Sequence, residues 1–464
     1  MSTVTGLRAR WVLARENGRP TLLRDATVVV SGSRIDSLLG QGAGGAPDRT
    51  IDLGESLLMP GFINSHCHCV SGPLFRGLLE DHGHGEGTAS VIDKVMLPLA
   101  ELITELSDDD EIAAIAALGQ LEALKAGSTT IVDMPRSGHD AFAVAARDIG
   151  LRAYIHPYLM SGPEAGWSWE DSAEDEADAR RALEVFHRWH RAYDEGEDGR
   201  IRIGLGPHAP DTCAPALLRA VARVRDETGA RVVTHLAQSP AEMLRIRERL
   251  GVSPVTYLDR VGLIAPGLIA AHGICAEAAD LRLLAERGAT IAHCPLSYAR
   301  LGTMACRNRF TAAGIPTAVA SDAHALDIVA DLRLAAINSK IDAADSAAGT
   351  AWEMVEAATV VPAMALGRAD LGRLEPGASA DLIAIRLDRP HLQPVSDPIK
   401  NLVWNGSGRD VDFVMVTGEV LVQDGIYARR SEQSVVKAGA AALEHVWGVA
   451  EERGIIDRSR PASA

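Results

Sequence analysis

The chain is poor in cysteine, in aromatic residues and in positive charge, and each shortage closes off a class of protein. Six cysteines in 464 residues (Cys67, Cys69, Cys213, Cys275, Cys294 and Cys306) include no C-x₂-C pair. This argues against a disulfide scaffold and a structural zinc knot, and it fits a reducing, cytoplasmic home. Lys and Arg number 46 against 62 Asp and Glu, a formal net charge of −16. Nucleic acid, an anionic membrane surface and an extended anionic substrate are therefore not expected as partners. No run of about 18 apolar residues occurs, and the opening MSTVTGLRARWVLARENG carries charges where a signal peptide needs its apolar core. What remains is the composition of an ordinary enzyme, 47% hydrophobic and 23% charged, with enough apolar mass for more than one domain.

Histidine is the residue that organises the rest. The apolar run Leu58-Met-Pro-Gly-Phe-Ile-Asn-Ser-His66-Cys67-His68 reads as a buried strand, and alternation across a strand puts His66 and His68 on one face. Cys67 and Cys69 then point the other way, into the core. Further strand-like runs follow, separated by helical patterns, and the eight strands are expected to end near His68, Asp133, His156, His208, His235, His272, His293 and Asp322. Helices are expected over Asp108 to Ala126, Ala214 to Gly229 and Ala276 to Gly288, and each pattern closes on or beside a glycine. This alternation predicts a (β/α)₈ TIM-type barrel, whose active site lies at the C-terminal ends of the strands.

Both chain ends read differently. Residues 1–57 and 369–430 carry short alternating strands with turns at Gly32-Ser-Arg and Gly418-Glu419, and together they are expected to form one small discontinuous β-sandwich domain. The barrel is then 58–368, and 431–464 is a C-terminal helix and tail. One barrel connection, Ser161 to Asp198, is unusually long. Its Trp167 is a candidate pocket wall, its acidic cluster at Glu170 to Glu176 reads as loop, and a helix is expected from Ala179 to Tyr193.

A divalent metal needs deprotonated ligands converging from several directions, with room for water. His66, His68, His235 and Asp322 supply three imidazoles and a carboxylate from strands one, five and eight. That set suits one Zn²⁺, and Fe²⁺, Co²⁺ or Mn²⁺ would accept it too. Asp322 is expected to touch the metal and accept a proton from its water. His272 is either a fifth ligand or the group that holds that water. His324, just past Asp322, is a candidate for lining the pocket or capping the next helix. The second His-x-His, at His82 and His84, sits among glycines and reads as loop.

Pro60-Gly-Phe-Ile-Asn-Ser-His66-Cys-His68, Gly206-Pro-His208-Ala-Pro, Thr234-His235-Leu-Ala, Ala271-His272-Gly, Ala292-His293-Cys-Pro and Ser321-Asp322-Ala together resemble the amidohydrolase superfamily. The resemblance covers nearly the whole chain. It points to the mononuclear-metal branch of the adenosine-homocysteine and methylthioadenosine deaminases and the s-triazine hydrolases, because strand four lacks the bridging lysine of binuclear members. It implies a homo-oligomer, a dimer or tetramer. It also implies substrate contacts for His208 and, in the loop after strand one, for Glu80 and Asp81. One position departs from the pattern: the glutamate that shuttles protons in those deaminases is here Gln238, a neutral amide that hydrogen-bonds but carries no proton. Glu242, one helical turn on, would have to point differently to replace it. The superfamily also holds amide-, urea- and carbamate-cleaving members, among them phenylurea hydrolases and the thiocarbamate-cleaving molinate hydrolase. Gln238 moves the expectation toward carbonyl cleavage in a small neutral amide, urea or (thio)carbamate. The alternative is deamination or dechlorination of a purine-, pterin- or s-triazine-like heterocycle.

Overall fold

Eight short parallel strands carry the centre of the molecule, in a computed structural model that describes residues 4–40, 47–79, 91–161, 169–193 and 199–458. In chain order they are Phe62–Cys67, Ser128–Asp133, Arg152–Ile155, Ile201–Ile203, Val232–Leu236, Leu268–His272, Thr290–His293 and Thr317–Val319. The first four and the last four each form a parallel sheet in sequence order. Bridges Leu205↔Val232 and Cys67↔Asp322 join the two sheets into a closed barrel. Every residue of these strands is buried except the half-buried Arg202, as expected of strands covered on both faces.

The helices fall where local chemistry places them. Asp109–Lys125 starts where the Asp108 carboxylate accepts the Glu111 N–H at 2.9 Å. Pro215–Thr228 stops at Gly229, whose φ of 71° a side-chain-bearing residue adopts at a cost. The helix of the long connection runs Ala173–Tyr193, six residues earlier than expected. The acidic cluster read as loop is partly its first turn. Glu174, Asp175 and Glu176 sit at the positive end of the helix dipole, and Asp175 exchanges hydrogen bonds with Ser172. Among the described residues no helix is long and apolar enough to cross a membrane.

Both chain ends build one mixed sheet of nine strands. Val4–Glu16 and Arg19–Ser31 form its long hairpin, and Ser56–Pro60 pairs on one side with Val4–Glu16 and on the other with Leu382–Arg386. The hairpin between Val411–Val416 and Glu419–Gln423 turns at Thr417–Gly418, one residue before the expected place, because both residues adopt positive φ. Ser56–Pro60 runs through Gly61 directly into the first barrel strand, so this sheet sets where the His66-x-His68 pair begins.

Barrel and terminal sheet are tied by a buried ion pair. Arg152, on the third barrel strand, is 2% exposed and donates to both carboxylate oxygens of Asp381, to Gly199 O and to the hydroxyls of Ser379 and Thr417. Burial pushes the Asp381 carboxyl up, but the Arg152 charge and hydrogen bonds outweigh it and hold the group below the ordinary carboxylate value. Asp381→Asn leaves Arg152 buried without a counter-charge, and a loss of about 3–5 kcal/mol is expected, read as a lowered urea midpoint. The carboxylate's contribution is complete above the unfolded-state value of about 4 and is lost as pH falls through the lower folded-state value. The gap between wild type and variant should therefore narrow in acid.

Candidate metal centre

The barrel closes at the residues that carry its chemistry. Asp322 N donates to His66 O at 3.0 Å and His68 N donates to Asp322 O at 3.3 Å. Next to them the Asn64 amide donates to Ser321 Oγ at 2.7 Å and accepts the Ser321 N–H at 3.1 Å. Strands one and eight are thus laced together, and His66, His68 and Asp322 converge. Both Asp322 at φ 60° and His272 at φ 78° hold a left-handed backbone that is strained for non-glycine residues.

His66 Nε2 and His68 Nε2 lie 3.6 and 3.5 Å from Asp322 Oδ1, and His68 Nε2 lies 3.4 Å from His235 Nε2. These are too long or too ill-matched for good hydrogen bonds, yet every group is buried. Both His66 nitrogens and His272 Nδ1 have no hydrogen-bond partner. Ligand atoms of His66, His68 and Asp322 lie within 4.8 Å of one another, and so do those of His66, His235 and His272. Unpartnered imidazole nitrogens around one carboxylate oxygen are the donor set of a divalent metal, and these residues fit one.

Protonation states agree with that use. Burial first, then the neighbouring imidazoles, pull His68 and His272 down to about 3 and His235 well below its ordinary value. All three are neutral near pH 7, as ligands must be. The Asp322 carboxyl lies well below its ordinary value, burial pushing it up and the neighbouring His66, His272 and His68 pulling it down; with the rings neutral near pH 7, the Ser297 hydroxyl and a bound cation would be what meets its charge. The tautomers follow from the partners. His235 Nδ1 lies 2.7 Å from His208 O, an acceptor, so the proton sits on Nδ1 and the Nε2 lone pair faces His68. Ser297 Oγ donates to Asp322 Oδ2 at 2.5 Å and leaves Oδ1 toward the imidazoles.

Other expected residues part company. His208 and Gln238 line the cavity beside the histidine cluster. His208 Nδ1 meets Thr212 Oγ1 at 2.8 Å; that hydroxyl donates to Ala209 O, so Nδ1 carries the proton and Nε2 is an acceptor. His324 is buried, is absent from the cavity lining and does not cap the following helix, whose cap is Asp327. His293 does not line the cavity either. Glu80, Asp81, His82, His84 and Trp167 lie outside the described residues. Glu242 is fully buried and accepts the backbone N–H groups of Ala237 and Gln238 at 2.9 and 2.8 Å, so it grips the loop beneath Gln238 instead of facing the cavity. Cys67 Sγ lies 3.6 Å from Asp133 Oδ2, and the Cys69 backbone N–H donates to the same oxygen at 2.7 Å; Asp133 lines the cavity and the two cysteines do not.

Sequence reasoning missed Ser297, Tyr158, Tyr298 and Arg136, all cavity-lining. Ser297 and Tyr298 sit just past the Ala292-His293-Cys-Pro end of strand seven, where a barrel enzyme is expected to keep functional groups.

A model described as the amidohydrolase family matches residues 57–421. A 5-methylthioadenosine/S-adenosylhomocysteine deaminase from Natronomonas pharaonis is 35% identical over 433 residues, 92% of this chain and 94% of that protein. Atrazine chlorohydrolase TrzN from Arthrobacter aurescens, complexed with zinc, aligns with TM-score 0.85 and 26% identity over 95% of this chain and all of its own. An adenosine deaminase from Xanthomonas campestris with bound zinc aligns with TM-score 0.84 and 25% identity over 96% and 98% of the two chains.

Ser297→Ala removes the donor that orients Asp322 and should weaken zinc affinity about 10–100-fold, measured by competition with a chromophoric chelator. His235→Ala should abolish stoichiometric zinc in the same assay and in elemental analysis.

Proposed function

Because this chain belongs to the amidohydrolase family, we propose that it displaces an amino or chloro substituent from an electron-poor ring carbon of a purine-, pterin- or s-triazine-like heterocycle. His66, His68, His235 and Asp322 would hold one zinc ion per chain. The observation that carries the reading is the near-complete match, in sequence and in fold, to proteins named as nucleoside deaminases and an atrazine chlorohydrolase. The buried triads His66–His68–Asp322 and His66–His235–His272, each with ligand atoms close enough to hold a metal ion, support it.

A divalent ion in this donor set supplies Lewis acidity that brings the pKa of water toward neutrality. Asp322, ionised and held by Ser297, accepts the water's proton through Oδ1. His272, at the end of the sixth strand with its ring beside those of His66 and His235, orients the attacking oxygen. His208 accepts a hydrogen bond from the substrate through Nε2, and Gln238 bonds a ring nitrogen. Neither moves a proton: burial holds His208 at about 4, and Gln238 is an amide. Asp322 alone therefore carries the proton toward the leaving group. That economy suits a leaving group that departs as a weak base better than it suits ammonia.

Gln238 also favours a second reading, cleavage of a carbonyl C–N or C–S bond in a small neutral amide, urea or (thio)carbamate. Product identification separates the two. Zinc-loaded protein offered amino- and chloro-heterocycles beside N-substituted ureas and thiocarbamates should release ammonia or chloride from ring carbons. Release of organic amine or thiol alone would overturn the heterocycle reading.

Two variants test the proton path. Gln238→Glu should raise ammonia release at least tenfold over chloride release, because it adds a second proton carrier. His272→Ala should lower kcat by about 10²-fold or more on every substrate while zinc content stays at one per chain.

A further inference from the structure

The two polar groups assigned to the substrate ring, His208 and Gln238, lie on different loops, and one helix reaches both. His208 follows the fourth barrel strand and leads into the 3₁₀ turn Pro210–Thr212, while Gln238 follows the fifth and leads into the helix Pro240–Leu250. That helix is capped at its start, where Ser239 Oγ accepts the Glu242 N–H at 3.2 Å. Glu242, Arg245 and Arg249 then recur at spacings of three and four, which puts them on one face.

This face turns back toward the two loops. From the first turn, the fully buried Glu242 accepts the N–H groups of Ala237 at 2.9 Å and Gln238 at 2.8 Å, one on each oxygen. Ala237, at a φ of 48°, makes the bend that these bonds brace. From the second turn, Arg245 donates through Nε and Nη2 to one oxygen of Asp211, at 2.9 and 2.5 Å. From the third, Arg249 Nη1 donates to Asp211 O at 3.2 Å. Asp211 precedes Thr212, whose hydroxyl meets His208 Nδ1 at 2.8 Å and so sets the tautomer and direction of that ring.

Arg245 acts on both arms. Burial, then the Asp211 charge, pushes the Glu242 carboxyl up, and the N–H groups of Gln238 and Ala237 and the Arg245 charge oppose them. The Asp211 side chain is 4% exposed and that of Arg245 41%, so the cation can be replaced without opening the core.

We propose that Glu242 and Arg245 are positioning residues: from one helix face they fix the loop of Gln238 and the turn of Thr212, and so set the spacing between the amide and the imidazole offered to substrate. The proposal rests on the substrate contacts assigned above to His208 and Gln238, and on the hydrogen bonds alone for the clamp.

Zinc-loaded, full-length protein tests it first without a ligand. The His208 Nδ1–H proton, assigned by its loss in His208→Ala, gives a downfield NMR signal while Thr212 accepts it. In Arg245→Met that signal should vanish by exchange, and Arg245→Lys should restore it. The His235 Nδ1–H signal, bonded to His208 O, should stay in both. An ion pair that only stabilised the fold would lower the unfolding midpoint and leave both signals. Calorimetry with hypoxanthine and a hydroxy-s-triazine follows. Arg245→Met and Glu242→Gln should each weaken binding about tenfold, and the loss should disappear when Arg245→Met is placed in His208→Ala and Glu242→Gln in Gln238→Ala. An unchanged His208 signal in Arg245→Met, or losses that add in the double variants, overturns the proposal. A lost signal when neither probe binds the wild type supports the clamp while sinking the heterocycle reading. Ring binding with an unchanged signal does the reverse.

Discussion

The seam between the first and last barrel strands is the constraint on which the site depends. A parallel barrel must close somewhere, and here it closes through the Asn64–Ser321 clasp and the backbone bonds of Asp322 with His66 and His68. Three of the groups that converge on one point are therefore fixed by the hydrogen bonds that make the barrel a barrel. His235 and His272 then need only follow the ordinary register of strands five and six, where His235 sits opposite Ala271 and Leu236 opposite His272. Little separate organisation is needed to hold the ligands.

Burial does the electrostatic part. The same desolvation that makes a lone buried charge costly strips the imidazoles of their protons and leaves their lone pairs free for a cation, which would offset the burial of the Asp322 charge. Backbone strain gathers at the same place, in the positive φ of His272, Asp322 and Ala237. Ala237 shows how it is met: Glu242 binds its N–H and that of Gln238, so a buried carboxyl fixes the loop that presents the amide.

Much of this was legible before any coordinates. A histidine or aspartate at the end of each strand-like run marks a barrel's functional face, because that face is where strands stop and loops begin. The ligand-bearing strands and the capped helices followed from period and punctuation. The direction of Glu242 was not legible, since whether a carboxylate one turn into a helix faces the cavity or its own N-terminal amides is decided in three dimensions. The acidic run before Ala179 looked like loop because a helix start rich in Glu and Asp has the composition of a solvated turn. The apolar wall of the cavity carries no motif at all. Its residues alternate between facing the cavity and facing the C-terminal helix, and only packing tells which is which.

The terminal sheet has a consequence in time as well as in space. Pro60 ends the strand that leads straight into the His66-x-His68 strand, and its partner in the sheet is Leu382. On a ribosome adding about 5–20 residues per second, the intervening stretch of roughly 320 residues takes on the order of tens of seconds to appear. Throughout that interval an apolar strand edge next to the ligand strand stands unpaired, open to other nascent chains. The discontinuity that sets where the histidine pair begins in the finished protein thus leaves that strand edge open during synthesis.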